Sequence, residues 1–361
     1  MSSPSILLTG ASGYIGGAVL AQLLSSGYDA SKISALVRSR EHAQIIQKLG
    51  VNTVLFEGLH DIEVIKKAAS NNDIAISCAS AMDLPSCIAL VEGLGDRKAK
   101  SNKNAYYIHT SGTSNFGDHP YTGTPNLEVR SDKDDIFSWE KEHAETWIIR
   151  KVDVAITEAG VRLGVKTAIV NPPLIYGTGA GPINQRSLQV PTLIKMSLGF
   201  EQPIVLGEGS GIWTVVHIAD VARMYNLLAR RIADGQSVDF GQQGYHFLEA
   251  GEVAWLDISK AIARSGHAQG LFQTAEVKKV SPDEFASALS IPFLNAHMVE
   301  VIWGSNSRIK GVKSREIGWQ PDITAAGFLA SVEDEVRIIY QEQAGQIESS
   351  TERLFRGASS Q

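Results

Sequence analysis

The sequence predicts an α/β fold, a doubly wound parallel sheet with a smaller, mostly C-terminal region added to it. Three observations carry that prediction. Short apolar runs alternate with helix-period segments through the first half of the chain, the runs are apolar throughout instead of alternating in and out, and the alternation stops near Asn171. Strands covered on both faces of a parallel sheet read as unbroken apolar runs, and a βαβα rhythm builds a doubly wound sheet.

Taken in order, strands are expected at 5–9, 33–37, 53–56, 74–78, 106–110 and 167–170, and helices at 15–26, 40–49, 61–69, 83–94 and 140–160. The last helix is assigned from an apolar stripe of Ala144, Trp147 or Ile148, Val152, Ala155 and Ala159, with Gly160 as its C-cap. Past Asn171, Pro172, Pro173, Gly177, Gly179, Gly181 and Pro182 dictate a loop. Further strands are expected at 215–217 and 245–248 and helices at 219–231 and 323–344, with Asp220 as a natural N-cap for the first of these helices.

Composition bounds the functional classes. With 361 residues, 43% hydrophobic and 20% charged, the chain can bury a sizeable core. A net charge of −6 with interspersed signs gives no clustered basic surface, which excludes a nucleic-acid partner. Two cysteines, Cys78 and Cys87, make neither a disulfide scaffold nor a zinc set, so no metal is expected. No run approaches the roughly 20 apolar residues of a membrane helix, and the N-terminus lacks the layout of a signal peptide. The expected setting is the cytoplasm, without a membrane partner, and the expected ligand is a small molecule.

The first strand runs directly into Thr9, Gly10, Ala11, Ser12, Gly13, Tyr14, Ile15 and Gly16, and then into an amphipathic helix. The spacing has a mechanical basis. Gly10 permits a tight turn, Gly13 admits a pyrophosphate to the backbone N–H groups, and Gly16 lets helix and strand pack closely, with the helix N-terminus facing the phosphates. Gly10, Ser12, Gly13, Tyr14, Ile15 and Gly16 are thus candidate cofactor contacts. An acid about twenty residues beyond this turn would bind the ribose hydroxyl of NAD, whereas an arginine accommodates the extra phosphate of NADP. Arg38 stands there and no acid does, so NADP(H) is expected over NAD.

These residues, with others in fixed order, resemble the extended or atypical short-chain dehydrogenase/reductases of the NAD-dependent epimerase/dehydratase superfamily. The resemblance is carried by the glycine turn, then Glu57, Gly58, Leu59, His60 and Asp61, then Cys78, Ala79, Ser80 and Ala81. It continues through His109 to Thr113, Pro172 to Gly177 and Val216 to Ala222, and closes on Asn306, Ser307, Arg308, Gly318, Trp319, Gln320 and Pro321. It implies a Rossmann core over residues 1–175, with 213–232 and 245–249 returning to it, a substrate-binding region at 176–212 and 250–345, and a flexible tail at 346–361. It further implies that Leu59 and Asp61 lie beside adenine, that Ala79, Ser80 and Ala81 line the dinucleotide with Thr110 nearby, and that Pro172 and Ile175 approach the nicotinamide. A homodimer paired through the long helices follows by the same analogy.

The pattern breaks at the proton relay. The family's reductases use a serine or threonine and a tyrosine four residues before a lysine. The Tyr28–Lys32 pair has that spacing but lies on the wrong edge of the sheet. One alignment puts Trp147 in the tyrosine's place and keeps Lys151 as a ribose contact and catalytic group, since residues four apart share a helix face. A second matches Asp153 to a family acid and leaves neither partner. The serine position falls on Gly112, flanked by Ser111, Thr113 and Ser114, while Tyr121 and Tyr176 could offer phenols from loops. The catalytic candidates are Lys151, Ser111, Thr113 and Tyr176. His217 and Asp220 read as structural. The expected function is an NADP(H)-dependent reductase of a bulky carbonyl, enone or imine compound, a reading aided by Trp213, Trp255, Phe293 and Trp303 in the second half. The alternatives are a non-redox isomerase, cyclase or lyase with a structural dinucleotide, and a silent NADP(H)-sensing regulator.

Overall fold

The computed structural model describes residues 3–323 and 327–344. Its first half alternates β1 (Ile6–Thr9), α1 (Tyr14–Ser25), β2 (Ile33–Val37), α2 (Arg40–Gln47), β3 (Asn52–Leu55), α3 (Ile62–Ala69), β4 (Ile74–Ser77), α4 (Leu84–Ser101) and β5 (Tyr106–Thr110). There follow β6 (Val129–Ser131), α5 (Ile136–Glu142), α6 (Ile148–Leu163), β7 (Lys166–Asn171), β8 (Leu174–Tyr176), α7 (Gln189–Gly199), β9 (Ile204–Leu206), β10 (Ile212–His217) and α8 (Ile218–Ala233). The remainder is β11 (Tyr245–Phe247), β12 (Glu252–Ala254), α9 (Trp255–Ala268), β13 (Lys278–Val280), α10 (Pro282–Leu289), α11 (Ala296–Trp303), β14 (Arg308–Lys310), α12 (Lys313–Glu316) and α13 (Phe328–Ala344).

Seven strands make one sheet in the order β11-β7-β5-β4-β1-β2-β3, every pairing parallel. Because side chains alternate along a strand, Ile6 and Leu8 of β1 enter one core and Leu7 the other. The first core is completed by α1, α2 and α8 (Val19, Ile46, Tyr225), the second by α3, α4 and α6 (Ile65, Leu90, Val152). The strand order reverses between β1 and β4, and at such a switch point a ligand crevice opens beyond the carboxyl ends of the strands. A third core, around Leu193, Ile258, Phe285, Val299, Trp303 and Val336, organises the C-terminal half.

Four expectations are corrected. The 140–160 helix is broken: α5 ends at Glu142, a 3-10 turn spans Ala144–Thr146, Trp147 is extended (φ −151°, ψ 122°), and α6 starts at Ile148. Its C-cap is the left-handed Gly164, not Gly160. His217, not Asp220, caps α8: its Nδ1 accepts the Ala219 N–H at 3.2 Å. Asp220 is fully buried and accepts the backbone N–H groups of Asp322 and Ile323 at 3.1 and 3.3 Å. Finally, β10 does not return to the large sheet; it pairs with β8 and β12, while α8 and β11 do pack on the core and its edge. The 323–344 helix begins at Phe328; residues 324–326 and the 346–361 tail lie outside the described residues.

Candidate functional site

The crevice at the switch point starts with the turn after β1. Gly10 has φ +72°, and a Cβ there would lie 2.5 Å from the Cys78 carbonyl oxygen. A Cβ on Gly16 would lie 2.2 Å from the Gly10 carbonyl oxygen, so only glycine lets α1 seat against β1 at this distance. Gly13 is the N-cap of α1 in extended conformation; no side chain caps the helix, and its first turn contains no acid. The leading N–H groups are thus open to an anion, reinforced by the helix dipole. The cradle fits a pyrophosphate on geometry alone. Tyr14 turns away from it, its hydroxyl donating to the Gly177 carbonyl at 2.6 Å with the phenol pushed up by burial. Asn184 N–H donates to the Ser12 carbonyl at 3.2 Å, so the 177–187 loop roofs the turn.

Beside the cradle, Thr9 pairs with Leu36 in register, so Arg38, two residues on, overhangs the turn. It is exposed, and among the described residues no hydrogen bond or ion pair engages its guanidinium. Leu59, Ala79 and Ser80 line a cleft with Thr9, Leu36 and Phe56. Asp61 braces the same loop, its carboxylate accepting the Glu57 N–H at 3.2 Å. Ser80 Oγ is occupied by the N–H groups of Met82 and Asp83. Thr110 Oγ1 lies 2.6 Å from Tyr225 Oη and 3.3 Å from Cys78 Sγ. Pro172 is buried, its carbonyl accepting the Thr113 N–H at 3.2 Å, and Ile175 is partly buried on the core.

The catalytic candidates fare differently. After β5 the residues alternate: Ser111 and Thr113 turn inward, 6% and 1% exposed, while Gly112 and Ser114 face out. Ser111 Oγ donates to Asp153 Oδ2 at 2.5 Å, and Thr113 Oγ1 is sealed in. The outward hydroxyl is therefore Ser114, which accepts the Trp147 indole N–H at 3.3 Å. Tyr176 is buried, edge-on to His217 and Phe328, and burial raises its phenol. Lys151 is not brought to the site. Trp147 precedes the helix, so the shared face that linked it to Lys151 does not exist. Lys151 lies two residues, about 200° of helix, from the inward-facing Asp153, and its Nζ is held by the exposed Glu145 at 3.0 Å.

Sequence reasoning missed a buried polar cluster behind the β5 loop. Asp153 and Glu140 are both fully buried and share the Asn115 amide, at 2.9 and 2.5 Å. Tyr245 Oη donates to Glu140 at 2.9 Å; His109 Nε2 lies 3.5 Å from Asp153 Oδ1. Burial pushes Asp153 up to about 7, drives Glu140 up as well, aided by the Asp153 charge, and holds His109 down at about 3, so the imidazole is neutral. One signal was available: Asp153 sits on the buried stripe of Ile149, Ile156 and Gly160, where an unpaired charge is costly. A second missed group joins the loop after β5 to α11: His119 and His297 stack at 4.1 Å, with buried Glu300 behind. Between these groups an apolar cluster of Trp147, Ile149, Val301, Met298 and Ala81 bridges the sheet half and the C-terminal half.

Among the described residues, no group of three or more histidine, cysteine or acidic side chains could hold a metal ion, and no helix is long and apolar enough to cross a membrane.

The NmrA-like family matches residues 2–92. Oxidase ucsJ of Acremonium sp is 30% identical over 334 residues, covering 88% of this chain and 92% of that protein. The DesIV dTDP-glucose 4,6-dehydratase of Streptomyces venezuelae, solved with NAD bound, superposes with a TM-score of 0.65 at 17% identity, over 95% of this chain and 99% of that one. The UDP-glucuronic acid 4-epimerase of Bacillus cereus, solved with UDP-glucuronic acid and NAD, gives 0.58 at 15% identity, over 93% and 100% of the two chains.

Proposed function

This chain belongs to the extended short-chain dehydrogenase/reductases of the NAD-dependent epimerase/dehydratase superfamily, and from that premise we propose that it is an NADP(H)-dependent oxidoreductase of a bulky organic carbonyl, enone or imine compound. The observation that carries the reading is the cradle: two glycines that no Cβ could replace, an uncapped helix N-terminus, and an exposed, unengaged Arg38 in register beside it. When bound there, a nicotinamide dinucleotide supplies or removes hydride.

The residues of the chain bind and position. Gly10, Gly13 and the first turn of α1 receive the pyrophosphate; Arg38, with Ser12, receives the ribose phosphate; Leu59 and Ala79 flank adenine. Arg38 favours NADP(H), although the two structural neighbours named above hold NAD. Thr110, Pro172 and Ile175 bound the nicotinamide end. On this reading the apolar cluster of Trp147, Ile149, Val301 and Met298, which also takes in Ala81, favours an apolar substrate group over a sugar. The relationship to an oxidase supports redox chemistry in particular.

The test is incubation of the purified protein with NADPH and a panel of bulky ketones, enones and imines, and with NADP+ and the matching alcohols and amines. Change in 340 nm absorbance in step with product formation is expected. Turnover without net change in the cofactor would replace this reading with the non-redox one, and bound cofactor without any turnover would replace it with a sensor.

A further inference from the structure

We propose that His119, oriented by the buried carboxylate of Glu300, is the proton-transferring residue of this site, taking the place of the family's tyrosine; the proposal rests on the oxidoreductase reading above. Glu300, on α11, is 1% exposed. Its carboxylate is pinned by three donors of one loop: the N–H groups of Tyr121 and Thr122 at 2.6 and 3.0 Å on Oε1, and Thr122 Oγ1 at 2.7 Å on Oε2. Those three bonds already satisfy the buried charge. His119 is therefore surplus to the anchoring of the loop, yet its Nδ1 lies 3.7 Å from Glu300 Oε2, is buried, and has no hydrogen-bond partner.

A fixed carboxylate facing Nδ1 selects the tautomer with the proton on Nδ1 and leaves the Nε2 lone pair for chemistry, the division of labour by which a buried acid orients a general base. Such contacts are commonly long before ligands bind and shorten in the complex. The groups facing His119 are few. His297 stacks on its ring, while Glu300 and Asp118 supply negative charge; burial and then His297 hold the imidazole below its ordinary range, against the pull of the two acids. His119 is thus neutral near pH 7.

Its place in the fold is beside the apolar bridge. His119 stands two residues after Gly117, where a Cβ would meet Val301 at 2.9 Å and Ser305 at 3.2 Å. Val301 belongs to the cluster with Trp147, Ile149 and Ala81, and His297 is followed directly by Met298 of the same cluster. In the oxidising direction the substrate O–H bond breaks and its proton passes to His119 Nε2. The carbinol C–H bond breaks with its electron pair going to the oxidised nicotinamide, and C=O forms. Reduction is the reverse: protonated His119 gives its proton to oxygen as the reduced nicotinamide gives hydride to carbon. Reduction then falls, and oxidation rises, as pH climbs through the His119 titration.

The experiment is long-range 1H–15N NMR of the full chain labelled at histidine, assigned with His119→Gln, without and with saturating NADP+. Expected are a neutral His119 protonated on Nδ1 at pH 7, a shift of its ring signals when NADP+ binds, and loss of the tautomer preference in Glu300→Gln. On a panel substrate, His119→Gln is expected to lose about 10²–10⁴-fold in kcat, with the NADPH dissociation constant unchanged and the pH dependence of kcat abolished. An Nε2-protonated ring, ring signals unmoved by bound NADP+, or a His119→Gln enzyme with normal kcat would overturn the proposal. Absence of NADP+ binding would instead overturn the reading beneath it.

Discussion

Arg38 offers the sharpest test of the cofactor assignment, because the structure leaves its guanidinium without another task. Removing it as Arg38→Ala breaks no ion pair or hydrogen bond among the described residues, so any effect on binding reports the ligand. The magnitude follows from its exposure. Two unit charges at about 4 Å in water interact by about 1 kcal/mol, and a phosphate monoester carries about 1.5 to 2 negative charges at neutral pH. The loss is therefore about 1.5–2 kcal/mol, or about 10- to 30-fold in the NADPH dissociation constant. NADH lacks the extra phosphate, and its affinity is expected to stay where it is. Because the site is open to solvent, the NADPH preference is also expected to shrink as salt is raised and the screening length falls below about 10 Å. Fluorescence titration of both reduced cofactors, wild type against variant, at two salt concentrations measures all of this. A wild type that binds the two cofactors equally, or a variant that weakens both alike, would refute the reasoning.

Gly16→Ala places a Cβ 2.2 Å from the Gly10 carbonyl oxygen; the helix must back away from the strand, at a cost of about 1–3 kcal/mol, lowering the melting temperature and weakening NADPH and NADH together. Gly112→Ser is expected to leave stability unchanged, because φ is −171° and the nearest atom to its new Cβ is Ser114 Oγ at 3.8 Å. Asp153→Asn tests the buried acids. With Asp153 raised to about 7, the folded state keeps a proton that the unfolded chain releases from about pH 4 upward. Wild type therefore loses this share of its stability as pH rises from about 4 to 7, and the variant, with nothing to titrate there, gains relative to it across that window. His109 and His246, held neutral at about 3 and about 4, act in the opposite direction below their ordinary range, but they are present in both proteins and cancel in the difference. Melting temperatures at pH 4.5 and 7.5 decide the matter; a difference independent of pH would sink it.

The sheet was legible because burial on both faces writes itself into consecutive residues: Ile33–Val37 and Tyr106–Thr110 fall where their apolar runs do. The glycine turn was legible because it is local, a matter of three glycines where one strand passes into one helix. What escaped was polar and distant in sequence. Glu140 and Asp153 belong to different helices and meet through Asn115; read singly, Glu140 is an ordinary surface acid, and Asp153 is marked only by its place on an apolar stripe. Glu300 and His119 are separated still further along the chain. The break between α5 and α6 escaped for a different reason. An apolar stripe continues in phase across residues 143–147, and periodicity carries no mark of the extended Trp147 that interrupts it.

That break also decides where Lys151 is carried. Because α6 begins only at Ile148, its rotation is fixed by Asp153 reaching Ser111 and Asn115 on the inner side. One turn earlier on the same face stands Ile149, in contact with the cluster that contains Ala81, and before it Trp147, whose N–H is given to Ser114. The part of this segment that approaches the dinucleotide side is thus apolar or already bonded. Lys151 is carried round to Glu145 and solvent. A helix register locked by a buried acid cannot rotate to present the lysine without pulling Asp153 from Ser111 and Asn115, a cost of about 1–3 kcal/mol for a buried group left without its partner. On the oxidoreductase reading proposed above, the proton is therefore expected from outside α6. The loop after β5, which brings His119 against Glu300, is the element to which the proposal above assigns that role.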